Sequence, residues 1–594
     1  MAESSGRFQK LLGELKRRRV TQVVLAYAVV GFGIMQAADT FFPALRFPDW
    51  TVTLVAALVI AGLPVAVVLA WVFDLTPEGV QSADAPKAGA SGWAQPRRIA
   101  VASVLIVGVA ILGGFLATRV SDAGPSVNTV AVLPFDNLSG DPANDYFSDG
   151  ITEDVLTHLS KVGELKVISR TSATQYKNTK KTIPQIANEL RVGAVLEGSV
   201  QRVGNHVRIT AQLIDASNDE HLWAENYDRD IRDILSLQTE IAQEIAKALN
   251  VRLTPAKRAQ LDRVARRSVD PHAYEEYLRG LAHAAANRRG ESNEHLERAL
   301  QVDPRHAPAY AAMARNYYFM TFLSANAPRD IAPRLKHAAD RALALDPELA
   351  DAHATRGLYL MHFAHDLEGA QRAFERALEL APSNAQVRHD YAHFLLAVGR
   401  SAESAAESVR AAELDPKDTM LQACAGWHRF ADAHYSAAVA GASKALMMMP
   451  NMFWPEVILG WGYEQSGNLP KAIELLRKAV QHSRQEPFTR AALAHALAVS
   501  GEKQEARQIL RELEAAAADR YVSAYDLAAV YVGLGEHDEA FSWLAKAAAE
   551  RSMFLVFVGW DPRFNPLRND ARYAQLERQL GIRTALTAPA AAGT

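Results

Sequence analysis

A single cysteine, Cys424, occurs in 594 residues, which excludes an internal disulfide and any metal site built from several thiolates. Charge of either sign is also not in excess. With 64 Lys and Arg against 67 Asp and Glu, the net charge of -3 lacks the basic surplus of a nucleic-acid binder, and no nucleic-acid partner is expected. The chain has no phosphate-binding G-x-x-x-x-G-K-[ST] loop, no G-x-S-x-G elbow and no H-E-x-x-H helix. No catalytic residue, cofactor-binding residue, cofactor or metal ligand is therefore assigned, and the chain is read as a non-enzyme. Of 18 histidines, His353, His362, His365 and His389 fall within helical repeats, where solvated or groove-lining roles are expected ahead of metal ligation. The acidic cluster Asp136, Asp141, Asp145 and Asp149 lacks the spacing of an EF-hand and reads as turn and helix-cap chemistry.

Long apolar runs, by contrast, are present near the start. Residues 1–19 form a basic N-terminus carrying Arg7, Lys10, Lys16, Arg17, Arg18 and Arg19. Within residues 20–118, the runs 20–41, 51–73 and 99–118 each approach the length needed to cross a bilayer, so three transmembrane helices are expected. Arg46 alone follows the first run, whereas Lys87, Arg97 and Arg98 precede the third. The positive-inside rule then predicts a cytoplasmic N-terminus, a multi-pass inner-membrane placement of bacterial type, and periplasmic or extracytoplasmic C-terminal domains.

A different pattern fills residues 125–230. A β-branched strand ending at Pro134 leads into a helix with Ile151, Val155, Leu156 and Leu159 on one face. A short strand near 165–170, a helix near 183–190 and a strand from Ala194 follow, giving a β-α-β-α-β order with parallel pairing. Gly204 and Asn205 then turn a hairpin whose second strand alternates Val207, Ile209, Ala211 and Leu213 against polar neighbours, and HLWAENYD adds a last strand. The runs AVLPFDNLSGDP, FSDGITEDVLTHLSK, VISRTS, VLEGSVQRVGNHVRITAQLIDA and HLWAENYDRD resemble the TolB amino-terminal-domain family, which includes FlgO-like proteins. The resemblance implies a small α/β domain with a mixed sheet and no established catalytic constellation. The propeller of TolB itself has no counterpart here, so TolB's own partner contacts do not transfer.

Residues 231–270 read as a connecting helix, and from residue 271 strand signals give way to Ala-rich helical periodicity. Prolines at 304, 347, 382, 416, 450 and 487 punctuate it at close to the 34-residue tetratricopeptide (TPR) period, with an insertion expected near 324–328. The offsets Gly460, Tyr463, Gly467, Ala472, Leu476 and Ala479 recur as Ala494, Leu497, Gly501, Ala506, Leu510 and Leu513, and as Ala528, Tyr531, Gly535, Ala540, Leu544 and Ala547. These fit the small, aromatic and turn positions of TPR hairpins, so an all-α superhelical solenoid of about eight repeats is expected over 271–555. A cap helix over 556–583 and a disordered tail over 584–594 complete the chain. Tyr317, Trp427 and Trp461 are candidate contacts for a protein or peptide in the groove, against the alternative that they pack between helices.

The fold class expected is thus multidomain α and α/β: three transmembrane helices, the small α/β domain, then the solenoid. The function expected is a membrane-anchored protein-interaction scaffold. The alternative is a signalling or regulatory membrane component whose α/β domain senses a ligand.

Overall fold

The computed structural model describes residues 128–582 apart from 252, 323–325 and 432. It also describes the strands β1 (Phe73–Thr76) and β2 (Gly79–Ser82) and a few single residues between Tyr27 and Val59. The chain divides into two compact units, Met1–Gly124 and Pro125–Thr594.

In the first unit, β1 and β2 form an antiparallel ladder pairing Phe73 with Ser82 and Thr76 with Gly79. Among the described residues no helix is long and apolar enough to cross a membrane. That finding corrects the expectation of three transmembrane helices, and with it the multi-pass inner-membrane placement. The runs 20–41, 51–73 and 99–118 otherwise lie outside the described residues, but Phe73, the expected end of the second run, opens a strand. Where the first two runs are described, they meet within the protein. A Cβ on Gly31 would lie 2.7 Å from Val59 Cγ1, and the Tyr27 hydroxyl donates to the Val59 carbonyl at 2.8 Å. Freedom from charge reports a need for burial, which protein neighbours meet as well as lipid does.

The second unit opens with strands β3 (Thr129–Val132), β4 (Asp136–Asn137), β5 (Lys166–Ile168), β6 (Ala194–Val203), β7 (His206–Asp215) and β8 (Glu220–Asp230). They form one mixed sheet in the order β5-β3-β6-β7-β8, with β4 beside β6. β5, β3 and β6 run parallel, and β6, β7 and β8 are antiparallel. Alternation sorts the side chains into two cores. Val130, Val132, Leu196, Val207, Ile209 and Leu213 face the helices Asp145–Ser160 and Ile234–Ala248. Ala131, Leu133, Ile168 and Val195 face the helix Ile183–Leu190. The larger core extends past residue 270: Tyr274 and Leu278 of the helix Pro271–Ala285 belong to it, and a Cβ on Gly150 would meet Leu278 at 2.6 Å.

Helix Pro271–Ala285 is also the first helix of the first of eight helical hairpins among the described residues. The pairs are Pro271–Ala285 with Arg289–Val302, Ala307–Thr321 with Pro328–Leu345, Ala350–Tyr359 with Leu367–Leu380, and Ala385–Ala397 with Ser401–Leu414. Thr419–Ala431 with Tyr435–Met448, Phe453–Gln465 with Leu469–His482, Pro487–Ser500 with Lys503–Ala516, and Ala524–Leu534 with His537–Glu550 follow. The architecture is therefore mostly helical, a small mixed sheet followed by a TPR-like solenoid.

Gly460 shows why the repeat uses small residues. A Cβ there would sit 2.6 Å from Leu476 Cγ on the second helix, so any side chain forces the pair apart. Ala472, Leu476, Ala479, Ala528 and Ala540 are likewise fully buried between helices. Gly467 and Gly535 close their first helices at φ of 79° and 82°, a left-handed turn that a side chain would strain. Gly460→Ala is expected to destabilise the chain by about 1–3 kcal/mol, read from the urea midpoint of unfolding.

Candidate functional site

Two inner surfaces of the second unit are candidates, and their geometries differ sharply. The first is the inside of the superhelix, lined by the first helix of each hairpin. It is occupied by the chain's own later residues, the 3-10 segments Met553–Phe557 and Pro562–Leu567. The Phe557 ring stands edge-on to Trp427 with centroids 5.1 Å apart and lies 5.9 Å from His393. Phe554 stacks on Phe488 at 5.9 Å, and the Arg563 guanidinium lies 4.4 Å over Trp461. Trp427 and Trp461 do point inward but are 7% and 4% exposed, because residues 553–567 cover them. Tyr317, 5% exposed, packs within its own hairpin under Arg334, whose guanidinium lies 5.8 Å from the ring. Tyr463 and Tyr531 are half-buried, with the Tyr531 hydroxyl donating to Glu514 at 2.6 Å. About 20 Å³ remains open beside Trp427, Trp461 and Phe557, room for a water molecule and not for a peptide.

The second surface is a cleft of about 830 Å³ where the α/β domain meets the first four hairpins. The domain is held across it by the turns that end the repeats. Asp346 pairs with Arg267 at 2.6 Å, and Glu348 pairs with Arg263. The Ser169 backbone N–H donates to the Leu414 carbonyl at 2.8 Å, the Ser172 hydroxyl to Asp415 at 2.5 Å, and the Lys417 N–H to Ser172 Oγ at 2.8 Å. In the sequence, Asp346 and Asp415 belong to LDP phrases that read as helix stops alone. Their second role depends on partners 79 and 243 residues away in the chain, which no local pattern announces.

Tyr274, Tyr277, His306 and Phe319 give the cleft aromatic walls, and Lys161, Arg305 and Arg315 face it alongside Asp154 and Asp351. Arg315 reaches the buried Asp390 at 2.6 Å. Asp154 accepts hydrogen bonds from the Tyr274 hydroxyl and, at 3.0 Å, from Gln238 Nε2. Burial nevertheless pushes its carboxyl up to about 6, against the lowering pull of those two donors. Burial also raises Glu153 and lowers Lys161. A volume of this size with a few convergent polar groups is what ligand sites have in common. The sequence reading missed this site because its walls come from two modules that were read separately.

Parts of the chain are similar to known proteins. Residues 126–244, where a TolB amino-terminal-like domain is expected from the sequence, match instead the family described as the HilA/YgeH-like transcriptional regulator, second domain. Residues 463–525 match the tetratricopeptide repeat, so the chain carries TPR repeats. A curated relative, "Putative adenylate cyclase 3" of Rhizobium meliloti (strain 1021), is 45% identical over 193 residues, 32% of this chain and 32% of that protein. The match thus spans about a third of the relative's own length. Among solved structures, YrrB, "a TPR protein with an unusual peptide-binding site", aligns with a TM-score of 0.24 at 19% identity, covering 33% of this chain and 95% of YrrB. The type IV pilus biogenesis factor PilW aligns with a TM-score of 0.24 at 14% identity, covering 42% and 94%. A monomeric IFIT1 mutant with Gppp-AAAA aligns with a TM-score of 0.38 at 16% identity, covering 54% and 90%.

Two outcomes follow from the geometry. Between about pH 4 and 6 the folded chain keeps a proton on Asp154 that the unfolded chain has lost, so stability falls as pH rises through that window. Asp154→Asn should remove its share of that slope, at most about 2–3 kcal/mol, in denaturation curves measured across it. Phe557→Ala should cost about 3–5 kcal/mol and shift Trp427 fluorescence to the red as water reaches the inner face.

Proposed function

We propose that the chain is a non-enzymatic protein-interaction scaffold whose partner enters the cleft between the α/β domain and the first hairpins. TPR repeats support the scaffold reading, since stacked hairpins present a continuous inner surface to a peptide or partner. The observation that carries the choice of surface is the contrast in free volume, about 830 Å³ in the cleft against about 20 Å³ beneath residues 553–567. Tyr277, Phe319 and Arg315 supply the aromatic and guanidinium groups that dominate protein recognition. The cyclase activity named for the relative belongs to a protein of which about two thirds lies outside the match.

A second reading, that the α/β domain senses a small ligand and acts as a regulator, is favoured by one feature. The cleft has the volume and the buried ionisable groups of a small-molecule site, and the matched family is a transcriptional regulator's second domain.

Affinity capture on the full chain tests both. A protein enriched by the wild type and lost with Tyr277→Ala supports the scaffold. Failure to enrich any protein, together with a metabolite that raises the melting temperature of the wild type but not of Tyr277→Ala, transfers the cleft to the second reading.

A further inference from the structure

Three histidines of adjacent repeats converge inside the superhelix. His389 and His393 lie one turn apart on helix Ala385–Ala397, and His428 reaches them from helix Thr419–Ala431. One ring nitrogen of each lies within 4.8 Å of the others, and the residues are 7%, 6% and 0% exposed. From this cluster we infer a site for a divalent transition cation of the zinc class, held by His389, His393 and His428.

The hydrogen bonds around the cluster fix the chemistry of His428. The Ser404 hydroxyl donates its proton to the Ala392 carbonyl at 2.8 Å, so at 2.6 Å from His428 Nδ1 the same oxygen acts as acceptor. In the tautomer that satisfies both bonds, Nδ1 carries the ring proton and Nε2 holds a bare lone pair. That Nε2 is buried without a hydrogen-bond partner, as are His393 Nε2 and His389 Nδ1. A packed core does not ordinarily leave an unsatisfied nitrogen on each of three neighbouring rings, and a metal ion is a partner that three imidazoles can share. A hydroxyl oxygen accepting from the remote nitrogen takes the place that a carboxylate, backbone carbonyl or water holds beside other ligating imidazoles.

The surrounding charge agrees with this. Asp418 faces His389 with a negative charge, and the nearby Arg315 is neutralised by Asp390. Zinc–imidazole bonds of about 2.0–2.1 Å place ligand nitrogens about 3.4 Å apart, so the rings close by roughly an ångström on binding. Three protein ligands leave a fourth position for water. The site ties the fourth hairpin to the fifth directly behind Phe557, whose ring stands perpendicular to that of His393 with centroids 5.9 Å apart.

Cobalt(II) titration of the chelator-treated full chain tests the site. One ion per chain with visible ligand-field bands is expected, weakened at least about 100-fold by His393→Gln or His428→Gln and about 10- to 100-fold by Ser404→Ala. His283→Gln, in the half-exposed His283–His295 stack elsewhere on the array, should leave binding unchanged. Zinc-edge absorption of the wild-type chain supplies an independent measure, with three nitrogen neighbours at imidazole distance expected. No uptake at micromolar cobalt, uptake indifferent to the His393 and His428 substitutions, or a zinc shell without those nitrogens overturns the inference.

Discussion

A helical hairpin has more apolar surface than its two helices bury against each other, and the second unit is organised by where the remainder goes. Between neighbours the answer is the next hairpin, approached closely where Gly462 leaves room for Val439 of the preceding hairpin and Gly533 for His495. At the beginning there is no preceding hairpin. Tyr274 and Leu278 of the first helix are instead absorbed into the core of the α/β domain, so the sheet acts as the solenoid's end-cap. On the inside, the aromatic residues of successive first helices are covered by residues 553–567.

The same burial sets the electrostatics. Fixing the α/β domain over the first four hairpins draws Asp154, Glu153 and Lys161 partly out of water together, which is why two carboxyls rise and an amine falls around one cleft. Salt bridges such as Arg267 with Asp346 lie at its margin, where Arg267 remains partly exposed and the pair contributes little by itself. The domain is held chiefly by the shared core and the backbone hydrogen bonds of residues 169 and 417.

Local pattern made much of the second unit legible. Alternation along Val207, Ile209, Ala211 and Leu213 identifies the buried face of β7, and all four are fully buried. The recurrence of Gly460, Gly467 and Ala472 gives the hairpin geometry down to the left-handed turn. What pattern does not carry is the identity of a distant partner. The apolar runs of residues 20–118 state that they need burial, not what supplies it. The spacing of His389 and His393 is visible, but their convergence with His428 depends on how two hairpins stack. Phe554 and Phe557 sit in a short apolar stretch with no helical stripe, so nothing in it marks the inner face of the repeats as its destination.

Solenoids whose units touch only their neighbours open piecemeal, each repeat leaving at its own free energy. Residues 553–567 break that rule by touching hairpins far apart in sequence, from His362 to Phe488, with one short stretch of chain. The stretch is made after every hairpin it contacts, so its docking closes long loops late in folding. Once docked, it couples repeats that would otherwise be independent, and loosening any one of them loosens its hold on the rest.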